Sequence, residues 1–334
     1  MAAIETVTVA PDEAGMRLDR WFREHYPAVS FGHVQKLIRS GQVRVDGGRV
    51  KTNARLEPGQ AVRVPPLGGG PGGEDKAPPR LGGPKPTGDA EFLRSILLYE
   101  DNEVFVFNKP QGLAVQGGSG LTRHVDGMLD ALTDRRGQKP RLVHRLDRDT
   151  SGVLVVARTR LAAQQLAEAF RQRSTRKVYW ALVRGVPRPK QGRISTWLGK
   201  EGGPEEKMQV VRHGAENATH AVSLYSVVET AGQKLAWLSM RPVTGRTHQL
   251  RVHAAHIGHP IIGDPKYFEA ESSWDFPGGI QNKLHLHARR IVMPHPKGGT
   301  LDVTAPLPPH MQQSWNLLGF DASLGEQADL GEEE

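Results

Sequence analysis

Between Pro65 and Gly88 the chain carries seven prolines and eight glycines in 24 residues, with Leu67 and Leu81 its only large apolar side chains. Proline removes a backbone donor and glycine adds conformational freedom, so such a stretch does not build a packed element. It divides the chain into bodies that must each find a core. A small module is expected over residues 1–64, a linker over 65–88 and a larger module over 89–320. The end of the chain, 321–334, holds six acids and no Lys or Arg, and is expected to be disordered. The formal charge of +8 is thus the balance of +14 over residues 1–320 and −6 in the tail. A basic surface of that size suits a polyanion.

No run approaches the ~18 apolar residues of a membrane span, and the N-terminus lacks the apolar core of a secretory leader. A cytoplasmic protein that makes no use of a membrane is expected. The chain has no cysteine, which excludes disulfides, thiolate metal sites and thiol nucleophiles.

In the small module Leu18, Trp21 and Phe22 share one face of a first helix. Ser30 is a good N-cap for a second helix that turns Phe31, Val34, Leu37 and Ile38 inward and stops at Gly41. Residues 42–50 alternate around Asp46-Gly47, the mark of a tight hairpin. Arg17, Arg20, Lys36, Arg39, Arg44, Arg49 and Lys51 are left outside. This order of two short helices, a glycine and a basic hairpin resembles the S4 RNA-binding domain, from Met16 to about Val64. The resemblance implies a small α/β module that holds structured RNA by its backbone, with Arg17, Arg20, Lys36, Arg39 and Arg44 as candidate contacts. Contacts of that kind position an RNA rather than read its sequence.

The larger module alternates strand-like runs (96–99, 104–107, 177–183, 192–198, 220–228, 235–243, 284–293, 301–304) with helices at 161–172, at about 247–257 and near Met311. Many strands and few helices indicate an α+β fold on a mixed, mainly antiparallel sheet with flanking helices.

Within it, His144-Arg145-Leu146-Asp147-Arg148-Asp149-Thr150-Ser151-Gly152 lies between apolar strings and reads as a loop feeding a buried strand. Arginines on either side bring opposite charge to the Asp147 carboxylate. Taken alone, the stretch reads equally as a turn over Asp149–Gly152 with Asp147 as its anchor. Tyr179 alone reads as a core tyrosine, and Arg246 as a contact to a loop carbonyl. Histidines 248, 253, 256 and 259 lack metalloprotease spacing and carry no carboxylate among them, so neither a metal nor another cofactor is expected.

Together and in order, the Asp147 run, Lys177–Val183 and Gly245-Arg246-Thr247-His248-Gln249-Leu250-Arg251-Val252-His253 resemble the RluA family of RNA pseudouridine synthases, over nearly all of Ile96–Pro306. Residues 192–199 are most like its RluC-type members. The resemblance implies the pseudouridine synthase fold and Asp147 as the catalytic aspartate. It also implies Tyr179 as the tyrosine that stacks on the target base and Arg246 as the arginine paired with the aspartate. Arg145, Lys109, Leu250 and Arg251 fall to substrate binding: Arg145 fills the space of the extruded base, Lys109 and Gly112 support the pocket, and Leu250 is an apolar wall. The implied substrate is large-subunit ribosomal RNA and the implied state a monomer.

Pseudouridine formation breaks the bond from uracil N1 to ribose C1′, turns the base and rejoins it through C5. The nucleotide must leave its stack, at a cost of a few kcal/mol. A carboxylate such as Asp147 is able to attack C1′, to remove a ribose proton or to stabilise a cation-like state; the residues leave these routes open, and leave Asp147 and Tyr179 both open as the base at C5. Cysteine-dependent uracil methyltransferases and zinc deaminases are excluded. Two alternatives remain: a non-catalytic RNA chaperone or assembly factor, which has no need of the Asp147, Tyr179 and Arg246 set, and a hydrolase using Asp147 with His144, for which nothing supplies a Ser or metal-water nucleophile in matched context.

Overall fold

The computed structural model describes residues 4–26, 29, 31–67, 87–118, 123–135, 137–172, 174–200, 207–268 and 278–330. Most of the expected linker and the expected cap Ser30 lie outside them. The chain divides into two compact units, Met1–Lys85 and Pro86–Glu334.

The first unit contains β1 (Glu5–Thr8), α1 (Leu18–His25), α2 (Phe31–Arg39), β2 (Arg44–Val45) and β3 (Ala61–Val64). Its antiparallel sheet has the order β1-β3-β2. Leu18, Trp21 and Phe22 fall on one side of α1 by their i, i+3, i+4 spacing and are fully buried against Val34, Leu37 and Ile38 of α2 and Val62 of β3. Asp46 and Gly47 both have positive φ, 48° and 77°, and Val45 and Gly48 exchange backbone hydrogen bonds of 2.9 and 3.1 Å around them. This is the primed turn expected of Asp-Gly. The strand expected after it does not form, because β2 takes β3 as its ladder partner instead.

The second unit contains α3 (Thr87–Ser95), β4 (Leu97–Glu100), β5 (Val104–Lys109), α4 (Val125–Met128), β6 (Arg141–Leu142), β7 (Ser151–Ala157), α5 (Arg160–Arg171), β8 (Arg176–Arg184), β9 (Gln191–Lys200), β10 (Met208–Val211), β11 (Thr219–Ala231), β12 (Leu235–Pro242), α6 (Gln249–His256), β13 (Leu286–Pro294), β14 (Thr300–Thr304), α7 (Pro309–Leu318) and α8 (Ala322–Leu330). The strands form one sheet in the order β10-β9-β11-β12-β8-β13-β7-β5-β4, with β14 beside β13 and β6 beside β7. Among the described strands only β7 and β13 run parallel. The sheet is therefore mixed and mainly antiparallel, as expected. Every residue of β7 is buried, which explains its unbroken apolar run.

Ala288 of β13 faces Gly152 of β7 on one side and Tyr179 of β8 on the other. The loop that ends at β7 and the middle of β8 are thereby brought within one strand of each other. Sequence positions far apart become neighbours through this register.

The acidic tail departs from expectation. Residues 322–330 form α8 rather than a disordered segment. The Asp321 carboxylate accepts a 2.9 Å hydrogen bond from the Ser323 N–H and so caps the helix. Gly325 lies so close to Trp180 and Trp237 that a Cβ would stand 2.5 and 2.3 Å from their rings. Glu326 takes a 2.6 Å ion pair from Arg289. Counting acids misses a helix whose small residue fits an indole surface and whose acid meets a buried arginine. No helix of the described residues is long and apolar enough to cross a membrane.

Candidate active site

The loop before β7 is held by backbone contacts. The Thr150 N–H donates to the Asp147 carbonyl at 3.2 Å, so the turn spans Asp147–Thr150, and Ser151 and Gly152 already belong to β7 rather than to the turn expected at 149–152. Lys109 is fully buried, and its Nζ donates to the carbonyls of Pro110, Leu113 and Arg148 at 3.0, 2.8 and 2.9 Å. Burial pushes its ammonium down to about 7, against the opposing pull of Asp149 and Asp147. The Gly112 N–H reaches the same Arg148 carbonyl at 2.9 Å. Gly152 has φ 110°, and a Cβ there would stand 2.2 Å from the Ala288 carbonyl oxygen; only glycine passes so close to β13.

The other residues of the run have local tasks. His144 Nε2 accepts from the Val155 N–H at 2.8 Å, and its ring stacks on Phe170 at 4.7 Å. Burial, helped by Lys177, pushes its pKa down to about 3. It is a neutral anchor rather than a partner for Asp147. Of the flanking arginines, Arg148 turns to Asp149 at 3.5 Å.

The charged neighbour of Asp147 arrives from α6. Arg251 Nε and Nη2 hold both oxygens of buried Asp264 at 2.8 and 2.7 Å, and its Nη1 stands 3.6 Å from Asp147 Oδ2. Burial opposes that charge, but hydrogen bonding to Asp264, with the charges of Asp264 and Asp147, keeps the guanidinium above its usual pKa. His248 Nε2 lies 3.9 Å from the same Asp147 oxygen, while its Nδ1 meets the Tyr267 hydroxyl at 2.9 Å. Burial lowers the His248 pKa against the pull of Asp147. His248 precedes α6 in the left-handed conformation, φ 53°, uncommon for a residue with a side chain. Gln249 locks the turn: its Nε2 donates to the Val222 carbonyl at 2.8 Å, and its Oε1 accepts from the Thr244 hydroxyl and the Arg246 N–H at 2.6 and 3.0 Å.

These elements surround a cavity of about 870 Å³ whose lining includes Arg145, Asp147, Tyr179, Arg246, Leu250 and Arg251. Six expected site residues thus share one concave space, with Leu250 giving it an apolar wall. Burial, then the charge of Asp147, raises the Tyr179 pKa, so the ring carries a neutral hydroxyl. Arg145 is exposed at the mouth.

Two expectations are corrected. Arg246 lies on the exposed turn before α6, and its Nε donates to the His220 carbonyl at 3.1 Å; the arginine beside Asp147 is Arg251, one helical turn into the buried side. Lys109 does not line the cavity, because its ammonium is spent on three carbonyls behind the loop. Asp264, Tyr267 and the role of His248 were not anticipated. Asp264 lies 13 residues beyond its arginine, across a bend that no helical or strand spacing reveals.

His253 joins Thr196 and Ser223, each at 2.9 Å, and His259 meets the Arg184 carbonyl at 2.8 Å. Among the described residues no group of three or more His, Cys, Asp or Glu is placed to hold a metal ion. In the first unit Arg17 pairs with Asp19 at 2.6 Å and Arg20 with Glu24 at 3.4 Å. Arg44 donates to the Gly41 and Gly47 carbonyls at 3.3 and 3.2 Å, which ties it to the turn. Lys36 and Arg39 are exposed on α2.

The family described as RNA pseudouridylate synthase matches residues 103–256, and the S4 domain family matches residues 16–62. Ribosomal large subunit pseudouridine synthase C of Yersinia pestis is 36% identical over 324 residues, covering 96% of this chain and 98% of the relative. The protein of the same name from Escherichia coli strain K12 is 36% identical over 310 residues, 91% and 93% of the two chains. Among solved structures, human RNA pseudouridylate synthase domain containing 4 superposes with a TM-score of 0.57 at 30% identity, covering 69% of this chain and 95% of that one. With a cavity built around an aspartate, a buried arginine and a tyrosine, and with relatives that match it almost end to end, the chain belongs to the RNA pseudouridine synthase family and is an enzyme of that class.

Proposed function

We propose that the enzyme isomerises uridines of large-subunit ribosomal RNA, the substrate named for its relatives in Yersinia pestis and Escherichia coli, and that Asp147 is its catalytic carboxylate. The observation that carries the reading is Asp147 in the 870 Å³ cavity, 3.6 Å from Arg251. A flipped uridine enters that space. Arg251, itself fixed by Asp264, orients the carboxylate toward the ribose. The N1–C1′ bond breaks and the base is caged between the Tyr179 ring and Leu250 while it turns. A C5–C1′ bond then forms, the C5 proton leaves and N1 gains one. The atoms balance without oxidant or cofactor.

Residues 1–64 act as the RNA grip in this reading and 89–320 as the catalytic body. A cytoplasmic monomer is the state that goes with this reading. The test is tritium release from ribosomal RNA labelled at uridine C5. Release by the wild type and none by Asp147→Asn is expected. Release that persists in Asp147→Asn removes Asp147 as the catalyst, and none in either protein on large-subunit RNA removes that substrate.

A further inference from the structure

The two faces of β9 differ. Thr196 and Leu198 turn toward α6, where Thr196 Oγ1 meets His253 at 2.9 Å and Leu198 packs with Val252. Strand alternation puts Arg193, Ser195 and Trp197 on the other face. There Trp197 lies opposite His220 of β11. The indole centroid is 5.2 Å from the His220 ring and 4.5 Å from the His213 ring, and Ser195 Oγ fixes His220 Nε2 at 2.9 Å. Arg193, Ser195, His213 and His220 are exposed and Trp197 is half-buried. An indole and two imidazoles therefore meet at water rather than in the core.

The strand that carries His220 reaches the edge of the cavity through its backbone. Arg246, which lines the cavity, donates to the backbone carbonyl of His220. The segment is balanced in charge: across residues 191–223 Arg193, Lys200, Lys207 and Arg212 stand against Glu201, Glu205, Glu206 and Glu216, so phosphate contact here is local, to the exposed Arg193 and Arg212 and to Arg246 at the edge.

We propose that Trp197, His213 and His220 form a stacking platform for an unpaired base of the substrate RNA, beside the nucleotide held at Asp147. The inference rests on the reading of the cavity as a uridine site. Every nucleobase has a flat π-face that stacks on indole and imidazole. Arg193, Arg212 and Arg246 supply the opposite charge for the phosphates that flank such a base. A base held here anchors the strand while its neighbour is out of the stack, so the platform acts on binding rather than on the bond-breaking step.

The test uses the full-length protein with a single-stranded uridine-rich oligonucleotide, and a duplex of the same length as control. Trp21, Trp180, Trp237 and Trp315 are fully buried and Trp274 lies outside the described residues, so the fluorescence is read in a Trp274→Phe background, where quenching on addition of the single strand is expected to vanish once Trp197→Phe is added. Trp197→Phe is expected to keep its affinity, and Trp197→Ala and His220→Ala to weaken binding, the former by about tenfold. On ribosomal RNA, Trp197→Ala is expected to raise KM by a similar factor and leave kcat nearly unchanged. Equal quenching with and without Trp197→Phe in the Trp274→Phe background, or wild-type affinity in both alanine variants, overturns the platform. The quenching arm needs no turnover; a wild type that binds with quenching but releases no tritium overturns the substrate reading and leaves the platform standing.

Discussion

Lys109 Nζ lies 2.9 Å from the carbonyl oxygen of Arg148, the residue that follows Asp147. A fully buried ammonium thus fixes the backbone beside the candidate catalytic carboxylate, and it does so from behind the cavity. Lys109→Met removes the donor of three carbonyls and is expected to cost about 3 kcal/mol. Urea unfolding measures that loss. In tritium release the variant is expected to lose kcat more than affinity, since it disturbs the position of Asp147 and leaves the RNA-facing surface intact.

Arg251 and Arg246 should behave differently. Arg251→Met leaves Asp264 buried without its bidentate partner and is expected to destabilise the fold by about 3–5 kcal/mol. Arg246→Met removes an exposed side chain bonded to one carbonyl, so its stability is expected to stay within about 0.5 kcal/mol of wild type. Thermal unfolding of the two variants side by side checks the ranking.

Gly152→Ala places a methyl group 2.2 Å from the Ala288 carbonyl at a backbone φ of 110°. Both the clash and the dihedral oppose it, and a loss of about 3 kcal/mol or more is expected. Gly112→Ala, where φ is 83° but open space surrounds the position, should cost about 1–2 kcal/mol from the dihedral alone. Soluble yield and unfolding midpoint distinguish them.

Four buried imidazoles set an acid limit. Burial brings His144 and His287 to about 3 and His253 and His285 to about 4, against about 6.5 in the unfolded chain. Between those values the unfolded state binds protons that the folded state refuses, so stability falls as pH falls. Each group contributes a slope of about 1.4 kcal/mol per pH unit. The stability is full above about pH 6.5 and is lost progressively toward the folded values. Urea midpoints that stay flat from neutral pH to pH 4 would contradict this.

Salt dependence separates the basic residues of the first unit. Lys36 and Arg39 are exposed on α2, whereas Arg17 and Arg20 already face acids. Substituting Lys36→Gln with Arg39→Gln is expected to reduce the slope of log K against log salt by about 1–2. Arg44→Gln should act through the turn, with lower stability and a smaller change in slope.

Particular residues show what the sequence made legible. The face of Leu18, Trp21 and Phe22, the buried strand after Asp147 and the turn at Asp46-Gly47 all follow from local spacing, and the structure contains each. The grouping of Asp147, Tyr179 and Leu250 came from resemblance rather than from spacing. Three features stayed hidden because they are set by distance in space. Arg251 stands nearer Asp147 than Arg246 because the left-handed turn at His248 decides which arginine enters the buried side. Asp264 is recognisable only once Arg251 is seen to grip it. The tail looked like a solvated acidic run until Gly325 met two indoles and Glu326 met Arg289.

The pairing of β7 with β13 also bears on how the enzyme comes into being. Ser151 and the His287 that holds its hydroxyl are 136 residues apart, and the strand beside the Asp147 loop cannot gain this neighbour until that much more chain has left the ribosome. Long-range pairing of this kind is slow to close, and domains emerge N-terminal first. The N-terminal unit is therefore complete while the cavity is still open-sided, so on the proposed reading of that unit as the RNA grip a nascent chain gains its hold on RNA before it gains its chemistry.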